Sequence, residues 1–187
     1  MFTSREATRI ISQYQDDVVV VHTMTNSHEW ARVAKDAKSD IGLGGAMGKT
    51  SSVALGIALA RPDRRVYVLD GDGSLLMNLG ALVTIAQAAP TNLVHLVYEN
   101  GVYEVTGGQP IPGVGVVDFA GMALGAGYRA AYTFDNAKDF EEAAGRILLE
   151  DGPTLINLKL KTLEDWEDVP ERDFNEAFQS LRENLSG

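Results

Sequence analysis

The chain has 187 residues, 45% of them apolar and 22% charged, with a formal charge of −10 and no cysteine. That length buries a full core in one domain, the acidity excludes a nucleic-acid partner, which needs a basic face, and the missing cysteines exclude disulfides and thiol chemistry. No run reaches the roughly 18 apolar residues of a membrane span, and the start, MFTSREATRIISQYQDD, lacks the basic and apolar regions of a signal peptide, so a cytoplasmic protein without membrane association is expected.

Thr3 and Glu6 stand at capping-box spacing, and Ala7, Ile10, Ile11 and Tyr14 recur behind them at helical intervals. Residues 17–23 are nearly all apolar, as in a strand covered on both faces. A helix over 28–37, a turn into Ile41-Gly42-Leu43 and a small-residue helix over 50–60 follow, the last ended by Arg61-Pro62-Asp63. Strands at 65–69, 93–98, 129–134 and 154–158 then alternate with helices near 77–89, 117–126 and 136–149. This order predicts an α/β fold, an open, mainly parallel sheet with helices on both faces. After Lys161 the acidic connector LEDWEDVPERD leads to a final helix bearing Phe174, Ala177, Phe178, Leu181 and Leu185. That helix is expected to pack on its own domain, and residues 1–187 read as one domain. The acidity, concentrated from Asp135 onward, reads as a solvated face.

The most informative stretch is the apolar VYVL followed by Asp70-Gly71-Asp72-Gly73-Ser74, and then by Glu99-Asn100-Gly101-Val102-Tyr103. Gly-Asp-Gly offers little side chain for a core but lets a backbone and one carboxylate approach a charged ligand closely. A helix over 77–89 carries the chain about 20 Å away at 1.5 Å per residue, and the strand 93–98 returns it, which makes a βαβ unit. Asp72 and Asn100 then meet at the carboxyl edge of the sheet, where open α/β folds bind ligands. One carboxylate and one amide oxygen beside glycine-freed backbone form a hard-oxygen half-site suited to Mg²⁺ carrying a diphosphate. A chain this acidic is expected to hold a diphosphate through a metal and backbone N–H groups rather than lysines. A second glycine-rich turn, Gly44-Gly45-Ala46-Met47-Gly48, opens a helix whose free N–H groups attract anions; close helix packing is its other reading.

Gly-Asp-Gly-Ser, a spacer of some 25 residues and an Asn-containing turn resemble the thiamin-diphosphate motif. The surrounding text, GGAMGKTSSVALGIALARPDRRVYVLDGDGSLLMNLGAL and ENGVYEVTGGQP, resembles the phosphonopyruvate and sulfopyruvate decarboxylases over about residues 18–108. The resemblance implies metal ligation by Asp72, Asn100 and the Val102 carbonyl, and diphosphate contacts from Ser74 and the Gly73 N–H. It gives the Gly45 carbonyl a bond to the cofactor's aminopyrimidine, and makes Met47 the apolar residue that holds the cofactor bent. Thr25 matches a position that reaches the diphosphate, although its setting, TMTNS, departs from Thr-Gly-Thr. Glu99 replaces the first Asn of the usual Asn-Asn pair. Lys49 receives no role. The implied cofactors are thiamin diphosphate and Mg²⁺, and the implied reaction is nonoxidative decarboxylation of a small 2-oxo acid. The glutamate that such chemistry sets against the aminopyrimidine comes, in this family, from a separate pyrimidine-binding domain. The chain therefore looks like a diphosphate-binding β subunit that forms a hetero-oligomer with a pyrimidine-binding α subunit.

Other readings are weaker. A carboligase would use the same intermediate. A P-loop ATPase is imitated by Gly48-Lys49-Thr50, but the first glycine of that pattern is Leu43. A non-catalytic scaffold would not need Asp72, Asn100 and Ser74 together. His22 and His95 lie in apolar strands and read as core; His28 stands nearer the ligand edge, and Glu104 lies beside the metal turn in the direction of the substrate or in an exposed loop.

Overall fold

The computed structural model describes residues 1–35, 37–162 and 172–186. In chain order its helices and strands are α1 (Ser4–Ile11), β1 (Val18–His22), α2 (Thr25–Ala31), β2 (Asp40–Gly42), α3 (Thr50–Ala60), β3 (Arg65–Gly71), α4 (Asp72–Leu76) and α5 (Gly80–Ala88). They continue with β4 (Leu93–Glu99), β5 (Val102–Tyr103), β6 (Gln109–Pro110), α6 (Phe119–Ala126), β7 (Ala130–Phe134), α7 (Ala137–Ile147), β8 (Thr154–Lys159) and α8 (Phe174–Ser186).

Six strands form one parallel sheet, as the alternating pattern predicts, and their order is β2-β1-β3-β4-β8-β7. From β1 the chain first adds β2 on one side and then β3 on the other. The gap between β1 and β3 is therefore a topological switch point, the place where such sheets leave a crevice at their carboxyl edge. Both faces are covered. Val18, Val20, Tyr67, Leu69, Leu96 and Ile156 pack against Ile10 and Ile11 of α1, Trp30 of α2 and Phe140 of α7. Val19, Val21, Val66, Val68 and Val97 pack against Ala54 and Leu55 of α3, Ile85 of α5 and Phe119 of α6. This two-sided burial is why the central strands read as unbroken apolar runs rather than alternating ones.

The Thr3–Glu6 capping box is present, with both reciprocal bonds formed. Several boundaries differ from the sequence reading. The helix expected over 28–37 begins at Thr25 and ends at Ala31, because the chain reverses sharply at Met24, where φ is 53°. The helix expected near 77–89 is α5, which starts at Gly80, and a separate short helix, α4, precedes it. Asp72 itself opens α4, and the chain turns before α5, where the Asn78 amide donates to the Gly48 carbonyl at 2.9 Å. The hairpin β5–β6 went unforeseen, since two-residue strands carry no periodicity. Most of the acidic connector lies outside the described residues. Beyond it, α8 buries Ala177 and Leu181 against the core, while Phe174 and Phe178 stay half exposed. Among the described residues no helix is long and apolar enough to cross a membrane.

Candidate functional site

β3 brings Asp70 and Gly71 to the carboxyl edge, and Gly71, extended at φ −92° and ψ 154°, turns the chain into α4. Asp72 is thus the first residue of that helix, where a negative charge is favourable, and it is only 2% exposed. Its Oδ1 accepts the Gly73 N–H and its Oδ2 the Gly101 N–H, each at 2.7 Å. The second bond crosses from the end of β3 to the turn after β4, so the two halves of the motif are locked together. Burial pushes the Asp72 carboxyl up to about 6; the Gly101 and Gly73 N–H groups oppose this, and the negative charge of Glu99 adds to it.

Asn100 follows β4, and its Oδ1 accepts the Val102 N–H at 3.1 Å. The loop that continues from it folds over the Gly-Asp-Gly turn: a Cβ on Gly73 would stand 2.5 Å from the Tyr103 ring. Any side chain at 73 would therefore push on the Tyr103 ring. The Ser74 hydroxyl accepts the Gly48 N–H at 3.0 Å, which ties the second glycine-rich turn to the first. Glu99 is held from the neighbouring strand by the Asn157 amide, which donates to its Oε2 at 2.6 Å.

A cleft opens along this edge. Thr25, Met47, Asp72, Gly73, Ser74, Asn100 and Val102 all line it, as does Glu104. Gly45 does not. It is exposed outside the cleft wall, and its carbonyl accepts the Met47 N–H at 3.0 Å. Lys49 and Thr50, the heart of the ATPase reading, also stay outside the cleft. Sequence reasoning missed Ser4, Met24, Asn26, Tyr98 and Lys161, which also line the cleft. Ser4 and Lys161 are brought together by a parallel bridge between Phe2 and Leu160, a contact between distant segments that no local pattern announces.

The histidines follow the core reading. His95 is fully buried, with Nε2 3.4 Å from Asp70 Oδ2 and Nδ1 3.3 Å from the Tyr128 hydroxyl. His22 ends β1 with Nδ1 2.9 Å from Ser27 Oγ, and burial holds its pKa down to about 3. His28 does not line the cleft.

The donor set at the carboxyl edge is one carboxylate, one amide oxygen and backbone carbonyls. Among the described residues no group of three or more His, Asp or Glu side chains could hold a metal instead. A buried carboxylate whose pKa is raised by desolvation gains most from a cation, and this donor chemistry fits a hard one.

Residues 19–158 match the family described as thiamine pyrophosphate enzyme, C-terminal TPP binding domain. The chain belongs to that family. It is 40% identical over 153 residues to a phosphonopyruvate decarboxylase of Streptomyces viridochromogenes, covering 82% of this chain and 38% of that one. It is 37% identical over 153 residues to the sulfopyruvate decarboxylase subunit beta of Methanothermobacter thermautotrophicus, covering 82% of this chain and 78% of the subunit. The fold superposes with a TM-score of 0.70 and 26% identity on the thiamine diphosphate-dependent 4-hydroxybenzoylformate decarboxylase of Rhodococcus jostii RHA1, over 87% of this chain and 33% of that enzyme. The chain thus spans little more than a third of the Streptomyces relative and most of the length of the β subunit.

Proposed function

We propose that this chain, as one domain, is the diphosphate-binding subunit of a split cytoplasmic thiamin-diphosphate enzyme. With a pyrimidine-binding partner it decarboxylates a small 2-oxo acid, of the sulfopyruvate or phosphonopyruvate type, to an aldehyde without oxidation. The observation that carries the reading is the buried Asp72 carboxylate, bridged by hydrogen bonds to the Gly101 turn at the mouth of the cleft. Family membership and the likeness to free-standing β subunits support it. Similarity to an acetolactate synthase large subunit of Escherichia coli is lower, at 32% over 62% of this chain, so the carboligase reading is not favoured.

In this reading Asp72, the Asn100 amide oxygen and the Val102 carbonyl hold Mg²⁺. The Ser74 hydroxyl, which accepts from Gly48 and keeps its own proton to donate, serves the diphosphate together with Thr25. The Gly73 N–H already bonds Asp72, so its part is to steady that carboxylate as well as to meet the diphosphate. When bound, thiamin diphosphate supplies a carbon nucleophile and an electron sink. Met47 shapes the cleft around it, and the Gly45 carbonyl stands at the exposed rim, available to the aminopyrimidine once the partner completes that side. The glutamate for proton transfer at the pyrimidine comes from the partner.

The chain purified alone, with thiamin diphosphate and Mg²⁺, should form little or no aldehyde from pyruvate, sulfopyruvate or phosphonopyruvate. Adding a pyrimidine-binding subunit should create activity, and cofactor should tighten the association by linkage. Robust turnover by the isolated chain would refute the split-enzyme reading.

A further inference from the structure

Three non-glycine residues have positive φ: Asp17, Met24 and Ala89. Ala89, at φ 48° and ψ 48°, is an ordinary left-handed stop to α5. Asp17 sits in a turn beneath Arg64, which donates to its carbonyl at 3.1 Å and its carboxylate at 2.7 Å. Met24 is different. Its φ of 53° with ψ of −138° lies near the first central position of a type II′ turn, a place where glycine is the default. A long side chain held there carries strain, and strained residues persist where surrounding contacts over-determine them.

Those contacts are present, and they are all backbone contacts at position 24. The Met24 N–H donates to the Gly44 carbonyl at 3.4 Å, and the Met24 carbonyl accepts the Ser27 N–H at 2.9 Å. The Thr23 hydroxyl donates to the same Gly44 carbonyl at 2.9 Å. The turn thereby docks the start of α2 onto the glycine-rich turn that carries Met47. A glycine at 24 would make every one of these bonds without strain. The one thing it would not provide is a side chain, and Met24 is a partly buried residue that lines the cleft beside Thr25 and Asn26.

We propose that the strained turn is kept because it places the Met24 thioether against the ring portion of the cofactor, making Met24 a ligand-contact residue that sets the shape of the cleft. The inference rests on the thiamin-diphosphate reading above. A thioether offers a diphosphate no N–H or O–H donor, but it packs well on a flat, polarisable ring and tolerates irregular space. The diphosphate end of the cleft is served by Ser74, Thr25 and the metal ligands. Met24 and Met47 give the cleft apolar contact from two different elements, the β1–α2 turn and the approach to α3.

The test compares the full chain with Met24→Gly and Met24→Ala, measuring calorimetric affinity for thiamin diphosphate and for inorganic diphosphate, each with Mg²⁺, and thermal melting. Both variants should weaken thiamin diphosphate by about five- to thirty-fold, the scale of a lost apolar contact, and leave inorganic diphosphate unchanged. Met24→Gly should also melt about 2–6 °C above Met24→Ala, because only glycine relieves the turn while its extra freedom in the unfolded chain offsets part of the gain. Unchanged affinity for thiamin diphosphate, an equal loss for both ligands, or a Met24→Gly melting point no higher than that of Met24→Ala would each overturn the proposal. Failure of the unsubstituted chain to bind thiamin diphosphate while still binding diphosphate would sink the cofactor reading itself, and this inference with it.

Discussion

The two ends of the cleft are built differently. The end around Asp72 and Asn100 stands on β3 and β4, central strands whose residues are almost all fully buried, and its key carboxylate is bonded on both oxygens. The end around Gly44–Met47 follows β2, a three-residue edge strand, and Gly45 and Ala46 in it are exposed. A central pair of parallel strands cannot shift without disturbing neighbours on both sides, whereas an edge strand and a glycine turn can. The first end therefore has its geometry fixed by the fold of this chain alone. The second is exposed and lightly supported. In the proposed enzyme that difference separates anchoring, which this subunit does by itself, from activation, which needs the partner.

The largest effect should come from attacking the rigid end. Asp72→Ala should weaken Mg²⁺-dependent thiamin-diphosphate binding by more than about 100-fold, since even outer contacts to a metal ligand cost 10–100-fold. The fold should persist, because the Gly73 N–H it frees lies at the wall of the cleft and Gly101 is only partly buried between the cleft-lining Asn100 and Val102, so water can reach both groups. Calorimetry showing unchanged affinity would remove Asp72 from the metal site; global unfolding would show that the carboxylate serves structure first.

A smaller disturbance at the same end is Gly73→Ala. The new methyl group would press on the Tyr103 ring from 2.5 Å and on Ile111 from 3.1 Å. The loop after Asn100 must then lift, at a cost of about 1–3 kcal/mol typical of overpacking, and cofactor affinity should fall with it. Tyr103→Ser in the same chain should restore part of the stability. A melting point for Gly73→Ala equal to that of the parent would mean the loop is free to move, and the contrast between the two ends would weaken.

The scaffold of the open end can be probed by pH. His22 closes β1 beside Gly42 of β2, and its imidazole is kept neutral by burial, with its pKa depressed to about 3. In the unfolded chain it titrates near 6.5. The unfolded state therefore takes up a proton that the folded state refuses, so stability is full above about pH 6.5 and is lost as pH falls toward 3. The slope from this one group is up to about 1.4 kcal/mol per pH unit. Denaturant melts of His22→Gln across that window should be flatter than those of the parent. Parallel curves would assign the acid sensitivity to other groups.

The sequence made the rigid end far more legible than the open one. VYVL, Asp-Gly-Asp-Gly and the returning strand specify a βαβ unit by local pattern alone, and the structure places Asp72 and Asn100 together as that pattern requires. The sheet order was not readable, because apolar runs give strands but not which strand lies next to which. The Ser4 and Lys161 walls of the cleft depend on the bridge between Phe2 and Leu160, and so on contact between the N-terminal segment and the residue that follows β8. The start of α2 was misplaced because nothing in Thr23-Met24-Thr25 suggests a left-handed turn; methionine is among the residues least expected there. Gly45 was placed in the site by resemblance; the structure leaves it exposed outside the cleft wall, and in the proposed enzyme that is the side the partner completes.

Met47 offers the mildest and most discriminating test of that last point. Met47→Ala removes apolar contact from the open end and touches neither Asp72 nor Asn100. The backbone bonds of its turn, Ala46 N–H to Leu43 and Met47 N–H to Gly45, do not involve the side chain and should survive. Diphosphate affinity should therefore change less than about threefold. If Met47 holds the cofactor in its reactive shape, its loss should appear in kcat of the assembled enzyme, with KM for the 2-oxo acid nearly constant, as expected when an interaction matters only in the transition state. Affinity and rate falling together would instead make Met47 a packing residue. The anchoring and activating roles would then not divide between the two ends of the cleft.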